Sequence, residues 1–115
     1  MSVTIRDERA AGRLWAVDEA VVVGHIACFT RTAEPGAGAV VVVHTVVEPG
    51  HEGRGIAGSL VRFLYDLAAR EGVPVVPLCP YAAAWAEKHP DLAPAAPPEV
   101  VAAAKAQLAG DPSLW

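Results

Sequence analysis

The sequence predicts a single mixed α/β domain of α+β character. Three observations carry that reading. β-branched runs crowd the first half, a glycine-rich turn joins a strand to a helix at the centre, and helical apolar spacing takes over afterwards. Successive strands joined by tight turns make an antiparallel meander. The strand–helix–strand unit that follows adds a parallel neighbour. The expected product is a mixed, mostly antiparallel sheet with one βαβ crossover and flanking helices.

Each element has a local reason. Val3-Thr4-Ile5-Arg6 alternates as a short strand does. Arg13–Val17 and Ala20–Thr30 are β-rich, and Asp18-Glu19 between them reads as a tight hairpin turn. Apolar content over Val21–Phe29 is nearly continuous, which predicts cover on both faces. Glu34-Pro35-Gly36-Ala37-Gly38 is a turn. Ala39–Val47 is the strongest strand, because its valines lose rotamer freedom in a helix and pack well on a pleat. Glu48-Pro49-Gly50 stops it. Ile56, Leu60, Phe63, Leu64, Leu67 and Ala68 fall on one helical face, with a stop near Gly72. Val73–Pro80 reads as a strand whose prolines limit its pairing. Tyr81–His89 is a short helix ended by Pro90, residues 92–98 are an Ala/Pro-rich loop, and Glu99–Leu108 is a terminal helix stopped by Gly110.

Composition bounds the function. A chain of 115 residues fits one domain, and 53% hydrophobic against 19% charged residues is too apolar for a disordered chain. The formal charge of −4 and a pI near 5.4 argue against nucleic acid as the main partner, since phosphate backbones need clustered cations. The apolar runs are far below the roughly 20 residues of a membrane span. The first residues, Met1 to Glu8, hold the acids Asp7 and Glu8 and no apolar core of a secretory signal, so a cytoplasmic protein is expected. Cys28 and Cys79 lie far apart and no Cys/His cluster has zinc spacing, so two reduced thiols and no metal are expected, with a disulfide as the alternative.

The sharpest signal lies between Val46 and Ser59. A strand ends, the chain turns through Gly53, Gly55 and Gly58, and a helix begins. The first amides of a helix have no intrahelical acceptor and sit at its positive dipole end. Glycines let an anion approach the main chain, and Arg54 adds a cation, so a phosphate or pyrophosphate is the expected guest. Walker A needs a Gly-Lys-Ser/Thr tripeptide that is missing here. Gly53-x-Gly55-x-x-Gly58 matches the dinucleotide fingerprint, but the strand after the helix carries no acid for a ribose. The plain alternative is a glycine-rich helix entry that binds nothing.

His44-Thr45-Val46-Val47, Gly53-Arg54-Gly55-Ile56-Ala57, Val76-Pro77-Leu78-Cys79-Pro80-Tyr81 and His89-Pro90 occur in that order. Together, over roughly residues 5–92, they resemble the compact YjdJ-like branch of the GNAT acyltransferase superfamily. The resemblance implies a GNAT-like domain over residues 1–92 that binds acetyl-CoA. Residues 93–115 would be an extension that covers an exposed flank or mediates self-association. The family pattern Gln/Arg-x-x-Gly-x-Gly/Ala falls on Glu52–Ala57, with Glu52 where Gln or Arg is usual. By this resemblance Gly53, Arg54, Gly55, Ile56, Ala57, Gly58 and Ser59 hold the pyrophosphate. Val46 and Val47 lie along the pantetheine arm, and their strand should splay from Val75–Cys79. The helices that usually follow the first strand and shape the acceptor site have no counterpart.

Acetyl transfer to an amine needs a neutral amine, an N–H donor for the oxyanion and a proton for the leaving thiolate. A strand amide near Val46 or Val47 is the candidate donor. His44 is the candidate base, since imidazole titrates near about 6.5; its plainer role is a strand histidine bonded to a carbonyl. Cys79 precedes a helix, where thiolate is favoured. It is a covalent acceptor, a slot lining or an inert core thiol. Tyr81 is the candidate acid or a packing residue. Cys28 reads as core, His89 as a helix-end residue, and His25, His51 and the tryptophans as surface or packing. The resulting expectation is an N-acetyltransferase using acetyl-CoA and a primary amine of unknown identity, without nucleic acid, membrane or metal, as a monomer or weak homodimer. The alternative is a non-catalytic acyl-CoA-binding or regulatory module.

Overall fold

Strands β1 (Val3–Glu8), β2 (Arg13–Asp18), β3 (Val21–Arg31), β4 (Ala39–Val47) and β5 (Val75–Pro77) form one sheet in that spatial order. The structure is a computed structural model that describes residues 3–31 and 38–111. The turn expected at Glu34–Gly38 lies, except for Gly38, outside the described residues. β1 to β4 pair antiparallel, and β5 joins β4 in parallel through the crossover helix α1 (Ile56–Glu71). This is the mixed sheet the sequence predicts.

Three details differ from the sequence reading. Asp18 is still paired, to Val21, so the hairpin turn is Glu19-Ala20, both at positive φ (50° and 68°). That is the sense of turn that follows strand twist. Val21 and Val22 flank this turn and stay exposed, whereas Val23 and Ile26 to Phe29 are buried. β5 is only three residues long. The N–H groups of Leu78 and Cys79 both donate to the Val42 carbonyl, each at 3.1 Å, so the ladder ends in one shared acceptor. β1 and β2 are joined by a single 3-10 turn, Arg9–Ala11, and Gly12, which leaves no room for helices there.

α1 presses Ile56, Leu60, Val61, Leu64, Tyr65 and Ala68 onto one sheet face, against Leu14, Ile26, Val40 and Val42. Val61 and Tyr65 were not among the expected core positions, and Phe63 and Leu67 are only half-buried. The stripe is turned because α1 also packs against α2 (Pro80–Lys88). The Tyr65 ring stacks on Trp85 at 5.9 Å, and Trp85 on His89 at 4.1 Å. Burial pushes the Tyr65 hydroxyl up to about 12, so this ring is a packing element. α3 (Pro98–Gly110) runs two residues past Leu108 and includes Gly110 as its last helical residue. Its Val100, Ala104 and Leu108 cover Phe29, Ala39, Val41, Val43 and Val76 on the opposite face. The C-terminal extension therefore caps the β4–β5 end of the sheet, which becomes three layers thick. Among the described residues, no helix is long and apolar enough to cross a membrane.

Arg9 ties the β1–β2 link to the far end of α1. Its guanidinium donates to both Glu71 carboxylate oxygens at 2.7 Å, and its Nε to Asp7 at 3.0 Å. Partial burial works against ionisation of Asp7, but the Arg9 side chain and backbone N–H donate to it and hold it below the usual carboxylate range. The same guanidinium lowers Glu71. A carboxyl depressed in the folded state contributes stability above its unfolded pKa and loses it as pH falls through the folded value. Arg9→Met is therefore expected to lower the melting temperature slightly at pH 7, as exposed pairs do. The gap from the native protein should close on acidification below the ordinary carboxylate range. A gap that persists there would mean the cost is packing.

Candidate functional site

The site begins where β4 loses its partner. β5 pairs only with Val40, Val41 and Val42. A bulge then leaves Val43 unmatched, because Ala27 faces His44 while Cys28 faces Val42. From there to Val47 the strand has a neighbour, among the described residues, on the β3 side alone, an opening of the kind the family resemblance implies. The Glu48 N–H donates to the Val23 carbonyl at 2.9 Å. Antiparallel bonds alternate, so the amides of Thr45 and Val47 turn away from β3 toward the slot.

At the slot's far end β4 runs into the glycine turn. Gly50, Gly53 and Gly55 have φ of 87°, 82° and 74°. A Cβ built on Gly53 or Gly55 would meet nothing within 4 Å among the described residues, so the turn is open in front of its main chain. Gly55 is the N-cap of α1 and offers no side chain to its amides. The first intrahelical bond is Ser59 N–H to the Gly55 carbonyl, 3.0 Å, which leaves Ile56, Ala57 and Gly58 without an intrahelical acceptor. A cavity of about 430 Å³ joins strand and turn, lined by Thr45, Val47, Gly53, Gly55, Ala57 and Tyr81 among others. The donor set is main-chain N–H at a helix start, which suits an anion with several oxygens.

Two side-chain contacts brace the turn. Arg54 donates from Nη2 to Asp18 Oδ2 at 2.6 Å, and its Nη1 lies 2.7 Å from His51 Nδ1. The Glu52 carboxylate accepts the Gly50 N–H at 2.9 Å. At the slot's apex Cys79 is buried as the N-cap of α2, with Sγ 3.5 Å from Thr45 Oγ1.

The sequence model of the GCN5-related N-acetyl-transferase family matches residues 17–95. The chain belongs to that family. The match identifies the GCN5-related family and not a branch within it. The fold agrees. A ribosomal-protein-alanine N-acetyltransferase from Brucella melitensis biovar Abortus 2308 is similar with 26% identity and a TM-score of 0.55, over 73% of this chain and 64% of that one. An aminoglycoside acetyltransferase from an uncultured soil metagenomic sample is similar with 26% identity and a TM-score of 0.50, over 58% of this chain and 44% of that one. This chain thus spans 44% to 64% of the length of those two proteins. A GCN5-like putative N-acetyltransferase from Staphylococcus aureus shares the fold at 18% identity, with a TM-score of 0.55 over 77% of this chain and 82% of that one. No curated protein matches the chain.

Not every residue singled out from the sequence of this GCN5-related chain reaches the cradle. Gly53, Gly55, Ala57, Val47 and Tyr81 line it, as does Ile56, whose side chain is buried. Gly58 is turned toward the Tyr81 hydroxyl and Trp85 Nε1, each 3.5 Å from a Cβ built there. The structure sets Ser59 apart from that group, since its amide is already bonded and its side chain lies with Val3, Ile5 and Arg62 on the outer side of the helix. Val46 stands apart as well, because it faces the opposite side of β4 from Val47 and its register partner is His25. Arg54 is engaged by Asp18 and His51. His44 is exposed and shares the Val46 face, near His25 and Trp15, whose rings lie 5.4 Å apart. The strand thus separates it from Cys79. Cys28 is core, its thiol pushed up to about 11 by burial. His89 is the expected helix-end residue, with Nδ1 2.8 Å from the Trp85 carbonyl.

Thr45 and Asp18 were missed. Thr45 was legible in principle, since it sits two residues before Val47 on an alternating strand and must share its face. Asp18 carried no local signal, because its partner is 36 residues away. A separate apolar cavity of about 490 Å³ lies beyond β5 between α2 and α3, lined by Tyr65, Leu78, Ala86 and Val101, and does not touch the glycine turn.

Proposed function

We propose that this protein is an acetyl-CoA-dependent N-acetyltransferase that moves an acetyl group onto a primary amine. One observation carries the reading: a half-strand with no partner on one side among the described residues leads through the glycine turn to a helix start whose first amides have no intrahelical acceptor. The open cradle before Gly53 and Gly55 fits a diphosphate, and the outward amides of Thr45 and Val47 fit the amide-bearing arm of coenzyme A. Bound acetyl-CoA supplies an acetyl group activated as a thioester. In this reading the amides of Ile56, Ala57 and Gly58 hold the diphosphate, Val47 and Thr45 orient the arm, and Cys79 lines the slot. The Tyr81 hydroxyl, at the cavity wall, holds the proton a departing thiolate needs. His44 serves an amine that arrives from the other side of β4. The two similar proteins at 26% identity, an aminoglycoside acetyltransferase and a ribosomal-protein-alanine N-acetyltransferase, support transfer to nitrogen.

One observation favours the rival reading of a non-catalytic acyl-CoA binder: His44 and Cys79 do not share a face. A melting-temperature titration with CoA and acetyl-CoA tests binding, and an amine panel tests turnover. Stabilisation by both ligands with acetylated product is the expected result, and His44→Ala is expected to lower the rate about 10²-fold or more. Stabilisation without product identifies a binder. No shift with any CoA species removes both readings.

A further inference from the structure

We infer that Asp18, at the end of β2, is a positioning residue for the glycine turn and acts through Arg54. The inference rests on reading that turn as a coenzyme A site. Asp18 is fixed on both sides, paired to Val3 in β1 and to Val21 in β3. Its carboxylate accepts from Arg54 Nη2 at 2.6 Å, and Arg54 Nη1 reaches His51 Nδ1 at 2.7 Å. One guanidinium therefore clamps two points of the turn to the end of β2, which is paired on both sides. Both side chains of the ion pair are mostly shielded, 30% and 21% exposed.

Electrostatics alone would not put a cation there. Arg54 lies beside the positive end of α1, where a positive charge is unfavourable and a carboxylate is needed to hold it. Arg54 also stands between Gly53 and Gly55, the residues with the widest backbone freedom in the turn. Pinning the residue between them removes the conformations that a ligand would otherwise have to freeze out. Asp18 thus presents the amides of α1 already ordered.

The rival is that Arg54 is itself the phosphate ligand and Asp18 merely competes for it. The two differ in sign. Asp18→Asn removes the charge from the strut, so CoA affinity is expected to fall about tenfold, on the scale of one charge-assisted hydrogen bond. KM for acetyl-CoA should rise likewise, with kcat unchanged. Under the rival, the same variant frees the cation and tightens binding. Arg54→Lys keeps the charge but loses the two-pronged grip, and is expected to weaken binding as Asp18→Asn does. Asp18→Glu should restore part of the affinity.

Hydrogen exchange in the ligand-free protein supplies a readout independent of CoA. The amides of His51 and Ser59, bonded to Glu48 and Gly55, should exchange faster in Asp18→Asn than in the native protein. Weaker CoA binding with faster exchange supports the strut. Tighter or unchanged binding overturns it. Should the native protein fail to bind CoA, the functional reading falls, and unchanged exchange at those two amides would overturn the strut as well.

Discussion

The Gly55→Val substitution is expected to weaken coenzyme A binding about 100-fold or more while the protein stays folded. Two effects combine at this position. The first is strain: φ is 74°, and a β-branched residue there costs about 1–2 kcal/mol. The second is occupancy. The space in front of Gly55 is empty, so the valine methyl groups meet no protein atom and instead fill the cradle facing the α1 amides. Losing one or two charge-assisted hydrogen bonds at about 1.5–3 kcal/mol each gives the stated factor. Gly50→Val separates the two effects. Gly50 has a φ of 87° and equally open surroundings but does not line the cavity. It should lose similar stability and far less affinity. Calorimetric titration of both variants with CoA decides the matter, and equal affinities would show that the cradle is not the binding surface.

Leu60→Ala is expected to cost about 3–4 kcal/mol, a larger loss of stability than any of the other substitutions should cause. Leu60 is fully buried under the first turns of α1. It sits over Gly24 of β3, where an added Cβ would come within 3.5 Å of Leu60 Cδ1, 3.0 Å of Ile56 Cγ2 and 2.8 Å of the Val46 carbonyl oxygen. Helix and sheet are in contact through a missing side chain, so the void left by truncation has little backbone slack to close it. For a domain of this size the melting temperature should fall by roughly 15 °C. Urea unfolding measures the loss directly, and a cost under about 1 kcal/mol would mean the helix settles onto the sheet. Because Leu60 is one turn from Ile56, affinity for CoA should fall with stability.

The strands and helices were legible because their signals are local. Four β-branched residues in Val40–Val43 and the 3–4 spacing of α1 need no knowledge of the partner surface. The splay between β4 and β5 was legible only through the family resemblance. Composition placed β5 at Val73–Pro80, and what shortens it is a tertiary fact: both Leu78 and Cys79 bond to Val42. Which face each β4 residue takes was not legible for a related reason. The bulge at Val43 shifts the alternation by one residue, which sends His44 and Val46 to one side and Thr45 and Val47 to the other. Arg54 illustrates the remaining gap. A cation beside a glycine turn reads as a phosphate ligand, and nothing local announces that Asp18, distant in sequence, comes into contact with it. Ser59 counts as an unsatisfied amide only if the helix starts later than Ile56.

The two borders of the sheet have a consequence for how copies of this chain meet. A strand with one open side is a template on which another backbone can dock, and growth by that route ends in aggregates. β1 meets this hazard with three successive charges, Arg6, Asp7 and Glu8. β5 meets it by brevity and by Pro77, with Pro74 just before it, since proline has no N–H to offer an incoming chain. Neither rim offers an incoming strand a long uncharged run of free N–H groups, so the open side of β4 beside the slot is the longest uncharged stretch of unpaired backbone the sheet presents among the described residues.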